Sequence, residues 1–152
     1  MSPRRSRIEK VVTLREKELD KRVAALSEQR AAEARALSEE ELKKQELERA
    51  SESRLKLAEE GEALSASSWI EANEWLANRQ KHLEQARLQA DKAQLATRKA
   101  QGEVLNARSD LKKVELLSER ILKQEQSDAQ RLERRLEDEL SSQRFRRTES
   151  DK

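Results

Sequence analysis

From Leu76 onward, positions seven apart hold apolar or small residues: Leu76, Leu83, Ala90, Thr97, Val104 and Leu111. A second row, Ala86, Ala93, Ala100, Ala107, Val114 and Ile121, lies three residues after members of the first. Alternating steps of three and four keep both rows on one narrow stripe of an α-helix, and about six heptads of it make a coiled-coil seam. Such a stripe is buried by another helix. The second row is alanine over four heptads, so the partner can come close, which favours a tight antiparallel pair over a parallel zipper. Composition agrees. Of 152 residues, 42% are charged, 34% hydrophobic and 2% aromatic, too little apolar volume for a thick globular core. Ala, Leu, Glu, Lys, Arg and Gln dominate, and these are strong helix formers.

Punctuation is sparse. The only proline is Pro3, and the glycines are Gly61 and Gly102. In the first half Val12, Leu19 and Leu26 keep the seven-residue step, with Val23 and Leu37 beside them, but Leu42, Leu47, Leu55 and Leu57 drift out of register. Ser38-Glu39-Glu40-Glu41 has the spacing of a capping box, a helix start. Alanine and glutamate nevertheless run through it without Gly or Pro, so a continuous and an interrupted first helix both stay open. Gly61 suits the left-handed residue that ends a helix. After the link Leu64 to Ser67, Ser68-Trp69-Ile70-Glu71 has capping-box spacing for the next helix. These signals predict an all-α fold and a single domain over residues 1–152: a long antiparallel two-helix coiled-coil hairpin, second helix longer than the first. Helix one spans about 6–60, the turn about 61–67, helix two about 68–145, and a basic tail 146–152. Folding about residue 64 sets residue 8 opposite residue 120 and leaves about 25 residues of helix two unpaired, on the order of 35–40 Å. The apolar positions change frame there, resuming as Ala129, Leu132, Leu136 and Leu140, as expected where a partner helix runs out.

The residues that carry chemistry are missing. There is no cysteine, hence no disulfide, thiolate nucleophile or Cys-held metal. His82 is the only histidine and sits among Arg79, Lys81 and Glu84, a solvated setting without a second ligand. The two glycines are too far apart to cradle a phosphate. Carboxylates abound, but a two-helix rod has no cleft to separate their pKa values. The chain is expected to be non-enzymatic, with no metal and no cofactor. No apolar run approaches the roughly 18 residues of a membrane span, and MSPRRSRIEKVV lacks the apolar stretch of a secretory signal. A cytoplasmic protein without membrane insertion is expected. A formal net charge of +2, with no concentrated basic region, argues against a nucleic-acid partner.

Charge is nonetheless segregated. Glu59, Glu60, Glu62, Glu71 and Glu74 stand in a span, Leu57 to Asn78, without Lys or Arg. Arg4, Arg5, Arg7 and Lys10 stand near the start against Glu9 alone, and Arg144, Arg146 and Arg147 close helix two. In a hairpin this makes an acidic turn end and a basic free end, and segregated charge steers partners. Both tryptophans lie in the acidic span. Extending the first row back from Leu76 puts Trp69 on the seam, as a plug at the turn. Trp75 falls beside the seam and Ile70 faces away from it, a patch suited to a partner.

Three segments give the chain a resemblance to the FliJ family, the small coiled-coil stalk of flagellar type III export, and to its counterpart in virulence injectisomes. RIEKVVTLREKELD is similar to the family's opening helix, and Trp69-Ile70 followed by Trp75-Leu76 resembles a Trp-aliphatic, aromatic-aliphatic pattern after the turn. Asp138-Glu139-Leu140 with Arg144, Arg146 and Arg147 resembles the Asp-Glu-apolar segment and basic tail. The resemblance implies a rod similar to the rotary stalk of the F-type ATPase. Its terminal end would enter a hexameric export ATPase and promote its assembly and turnover. Other surfaces would contact the export-gate membrane protein and export chaperones, placing the protein in the cytoplasm beside the inner-membrane export apparatus. Carried over by position, the ATPase-pore candidates are Arg4, Arg5, Arg7, Lys10, Arg134, Arg135, Arg144, Arg146 and Arg147, and the gate candidates are Trp69, Ile70, Trp75 and Leu76. Aromatic positions that flagellar members use along the rod are missing here, with Ala72 after Trp69-Ile70 and no tyrosine, which keeps the injectisome version open. The rival from another class is a self-associating coiled-coil scaffold with no ATPase partner.

Overall fold

The structure, a computed structural model, describes residues 2–59 and 65–151. It contains two helices, α1 (Pro3–Glu59) and α2 (Ala66–Ser150), packed as a hairpin with the second longer, and no strand occurs among the described residues. The helix end expected at Gly61, with most of the expected turn, lies outside the described residues.

Both helices start earlier than the sequence signals indicate, and in both a serine sets the start. The Ser2 hydroxyl accepts the Arg5 N–H at 3.1 Å while the Ser2 carbonyl accepts the Ser6 N–H at 3.0 Å. Pro3 follows as the first helical residue, where its missing N–H is not needed. At α2 the cap is Ser65, not Ser68: the Ser65 hydroxyl accepts the Ser68 N–H at 3.3 Å and the Ser65 carbonyl accepts the Trp69 N–H at 3.3 Å. The Ser67 and Ser68 hydroxyls lie 3.0 Å from the Ser65 hydroxyl, so the serine-rich link is a cap cluster. α1 runs unbroken through Ser38. The segment expected as a basic tail is helical to Ser150, its last turn held by hydroxyl donation from Thr148 to the Arg144 and Phe145 carbonyls and from Ser150 to the Arg147 carbonyl.

The chain divides into two compact units, Met1–Leu19 with Ala107–Lys152, and Asp20–Asn106. In the second, the buried α2 residues are Leu83, Ala86, Ala90, Thr97, Ala100 and Val104, all on the two heptad rows. α1 contributes only Leu26 and Ala50. Its half-buried positions include Arg22, Gln29, Glu40 and Lys43, opposite a row of alanines that leaves room for such long side chains. This accounts for the irregular apolar spacing of α1, whose seam mixes these long polar side chains with half-buried Leu19, Ala25, Ala32, Ala36 and Leu47. The charged ends reach acids and bases at the edge. Arg22 Nη1 meets Glu103 Oε2 at 2.9 Å, Glu40 Oε1 meets Arg87 Nε at 3.8 Å, and Glu46 Oε2 meets Arg79 Nη1 at 2.9 Å. As the α1 number rises the α2 number falls, the signature of antiparallel pairing. Thr97 is the buried polar member of the row. Its hydroxyl donates to the Ala93 carbonyl at 3.0 Å and stands 3.3 Å from the Gln29 carbonyl of α1, so it is satisfied within the seam.

In the first unit Ala107 and Ile121 are buried, and Arg15 Nη1 reaches Asp110 Oδ2 at 4.0 Å. Ile8 and Val11 of α1 share a groove with Leu117 and Ile121 of α2, and the Ser2 hydroxyl donates to the Glu125 carboxylate. Pairing ends there. From Gln126 to Asp151 every residue is exposed, including Leu132, Leu136, Leu140 and Phe145.

Candidate functional site

Two surfaces hold the residues singled out from sequence, one in each unit. In the first unit the capped start of α1 fans out Arg4, Arg7 and Lys10, all exposed, while Arg5 is half-buried and its Nε lies 3.6 Å from Glu9 Oε1. Arg4 and Arg7 rim the groove of Ile8, Val11, Leu117 and Ile121, an open depression of about 720 Å³. Arg134, Arg135, Arg144, Arg146 and Arg147 project from the unpaired part of α2, and none makes an ion pair among the described residues. The fold does not gather these two sets. Arg4 and Arg7 stand beside Leu117 and Glu125, whereas Arg134 lies about 13 Å and Arg147 about 33 Å further along α2 at the helical rise. The basic end is an arginine-bearing helix with a second basic collar near its base.

In the second unit both indoles are partly exposed and each carries a guanidinium over its face. Arg54 of α1 lies 5.6 Å from the Trp69 ring centroid, and Arg79 lies 5.4 Å from that of Trp75. Trp69, expected as a plug sealing the seam, is 38% exposed, and Trp75 is 42% exposed. Ile70 is more than half exposed, while Leu76 is half-buried on the seam. At such exposure a cation–π contact contributes about 0.5–1 kcal/mol each, enough to orient an indole without hiding it. Arg79 also binds Glu46, which lies 3.6 Å from Lys43 Nζ, and Lys43 lies 3.6 Å from Glu39. A chain of alternating charges thus runs from Trp75 across to α1. Sequence reading missed Arg54 and Arg79, although the signal was present: Arg79 is the first base after the base-free span, four residues from Trp75 on the same helix face.

Among the described residues no cluster of three His, Cys, Asp or Glu side chains is placed to hold a metal. His82 lies in a shallow depression with Glu39, Lys43, Gln85, Ala86 and Gln89, open to solvent. No described helix is long and apolar enough to cross a membrane.

The family model described as the flagellar FliJ protein matches residues 4–150. The chain belongs to the FliJ family. No curated protein and no solved structure matches it significantly. Membership implies a role related to flagellar protein export, in a family not known as an enzyme family.

Proposed function

We propose that this protein is the non-catalytic stalk of a flagellar export apparatus. Its arginine-bearing helical end inserts into the central pore of a hexameric export ATPase, promotes assembly and turnover there, and couples the ATPase to the membrane-embedded export gate. One observation carries the reading: α2 continues from Gln126 to Ser150 with every residue exposed, presenting Leu132, Leu136, Leu140 and Phe145 between unpaired arginines. A single helix that leaves four large apolar side chains exposed and ends in the cluster Arg144, Arg146 and Arg147 serves no folding purpose, and that end suits a channel lined by acidic and apolar groups. The Arg4, Arg7 and Lys10 collar would meet the rim of that channel. The patch of Trp69, Ile70 and Trp75 would face the gate, with export chaperones as further partners. On this reading the protein works in the cytoplasm, peripherally at the inner membrane.

Reversal of Arg144, Arg146 and Arg147 to Glu should reduce stimulation of the cognate ATPase at least about tenfold, with the far-ultraviolet dichroism unchanged. Undiminished stimulation would remove the pore assignment. Trp75→Ala should lower the melting temperature by only about 2–4 °C, because the indole is already 42% exposed and the loss is partial apolar burial with one cation–π contact. It should weaken binding to the gate protein in a titration with its purified cytoplasmic domain; unfolding instead would mark Trp75 as structural.

A second reading, self-association, draws on Leu132, Leu136 and Leu140, spaced four apart along one exposed stripe. Sedimentation separates the two: a monomer at micromolar concentration favours the stalk, and a stable dimer favours the scaffold.

A further inference from the structure

The outer face of α2 in the second unit carries a row that the hairpin does not use. Leu88, Leu95 and Gly102 recur every seven residues, and Leu105 follows one helical turn after Gly102. The three leucines are between 60% and 64% exposed, while the seam of the same helix is filled by Leu83, Ala90, Thr97 and Val104. Folding gains nothing from leucines pointing away from the only helix they could pack on.

Gly102 is the second, independent anomaly. A glycine inside a long helix is destabilising relative to alanine, so its presence needs a packing reason. None exists within the hairpin, since a Cβ built at Gly102 meets no atom within 4 Å. It is a gap in an outward-facing row, and a gap of that kind lets a partner backbone come close.

Around Leu95 and Gly102 the charges are mostly basic. Within one turn of Leu95 lie Lys92, Arg98 and Lys99 against Asp91 alone, and the three bases make no ion pair among the described residues. We infer that this face, Leu88, Leu95, Gly102 and Leu105 with Lys92, Arg98 and Lys99, is a docking surface for an acidic amphipathic α-helix of a partner protein. The seven-residue repeat is straight enough only for another helix. The partner's acids meet the three bases, and its axis passes closest at Gly102. An anionic membrane is the poorer fit: the apolar strip is about one residue wide, has no aromatic residue, and is interrupted by Glu84 and Asp91. This surface is separate from the residues of the stalk reading, and it stands or falls apart from it.

The test uses the full chain and a labelled synthetic helix of about 21 residues, with leucine every seventh position and glutamate beside each leucine, against the same peptide with lysine for glutamate. Fluorescence anisotropy should show saturable binding of the acidic peptide and none of the basic one. Leu95→Ser, and separately the triple change Lys92→Glu, Arg98→Glu and Lys99→Glu, should each weaken binding at least about tenfold. Gly102→Leu discriminates further. It should raise the melting temperature by about 2–4 °C, because leucine is the better helix former in open space, and yet weaken binding about tenfold by filling the gap. Equal binding of both peptides, or unaltered affinity in Gly102→Leu, would overturn the proposal. So would binding of the wild-type chain to anionic phosphatidylglycerol vesicles that Leu95→Ser abolishes, which assigns the face to a lipid surface. A dimer dissolved by Leu95→Ser would assign it to a second copy and equally overturn it.

Discussion

Replacing Leu26 by Ala should lower the stability of the hairpin by about 2–3 kcal/mol, seen as a fall of about 5–10 °C in the melting temperature followed by dichroism. The size of the effect comes from how little α1 contributes to the seam. Only Leu26, 8% exposed, and Ala50 are buried on that helix, so Leu26 is the one large apolar side chain of α1 that the seam covers fully, while Val12, Leu19 and Leu47 are only half-buried. Opposite it α2 offers mainly alanines, which cannot move into the space a leucine leaves. The ion pairs across the seam do not compensate. Arg22–Glu103 and Arg15–Asp110 are more than a third exposed at both partners, a setting in which such a pair contributes about 0.2–1 kcal/mol and fixes register more than stability. The lower half of the usual Leu→Ala range is expected because two helices at a surface relax more easily than a globular core. Leu14→Ala is the control. Leu14 is exposed on the same helix, and its removal should change stability by less than about 0.5 kcal/mol. Similar losses for Leu14 and Leu26 would mean that the seam of α1 is not the one described.

That contrast also shows where the sequence is transparent. α2 satisfies its partner through side chains of one chemical kind, so its heptad rows state the seam, and Leu83, Ala86, Ala90 and Val104 are buried where the spacing requires. α1 solves the complementary problem with Arg22, Gln29, Glu40 and Lys43, whose stems and charged ends do different things. Apolar spacing alone pointed at Val12, Leu19 and Leu26 with Val23 and Leu37 beside them: Leu26 is buried, Val12 and Leu19 are half-buried, and Val23 and Leu37 are exposed. Helix starts were misplaced by two or three residues because capping depends on which of several serines lets its oxygen reach a free N–H. Ser65, Ser67 and Ser68 all qualify by type, and only Ser65 has the geometry. For the docking surfaces, residue type announced the arginines and tryptophans. Distance did not follow from it. Arg54 is covered by no local pattern because its ring partner, Trp69, lies on the other helix, and the separation of Arg4 from Arg147 depends on how far α2 continues unpaired.

Ending the chain at Glu125 should separate folding from function more sharply than any substitution. No residue from Gln126 to Asp151 is buried, and among the described residues Glu125, which accepts the Ser2 hydroxyl, is the last on α2 that is not fully exposed, so the shortened chain loses helix but no seam. Its melting temperature should stay within about 2 °C of the full chain, and the mean residue ellipticity should be unchanged or slightly greater, because an isolated helix frays more than a paired one. Stimulation of the cognate hexameric ATPase should fall to the level of ATPase alone, since Arg134, Arg135, Arg144, Arg146 and Arg147 leave together with Leu132, Leu136, Leu140 and Phe145. The Arg4, Arg7 and Lys10 collar remains in the shortened chain, so residual binding without stimulation would assign recognition to the collar and activation to the helix. Full stimulation would place the activating surface on the paired part of the hairpin. A large drop in melting temperature would show that the end of α2 is tied back onto the fold, and the unpaired helix would no longer be available to enter a pore.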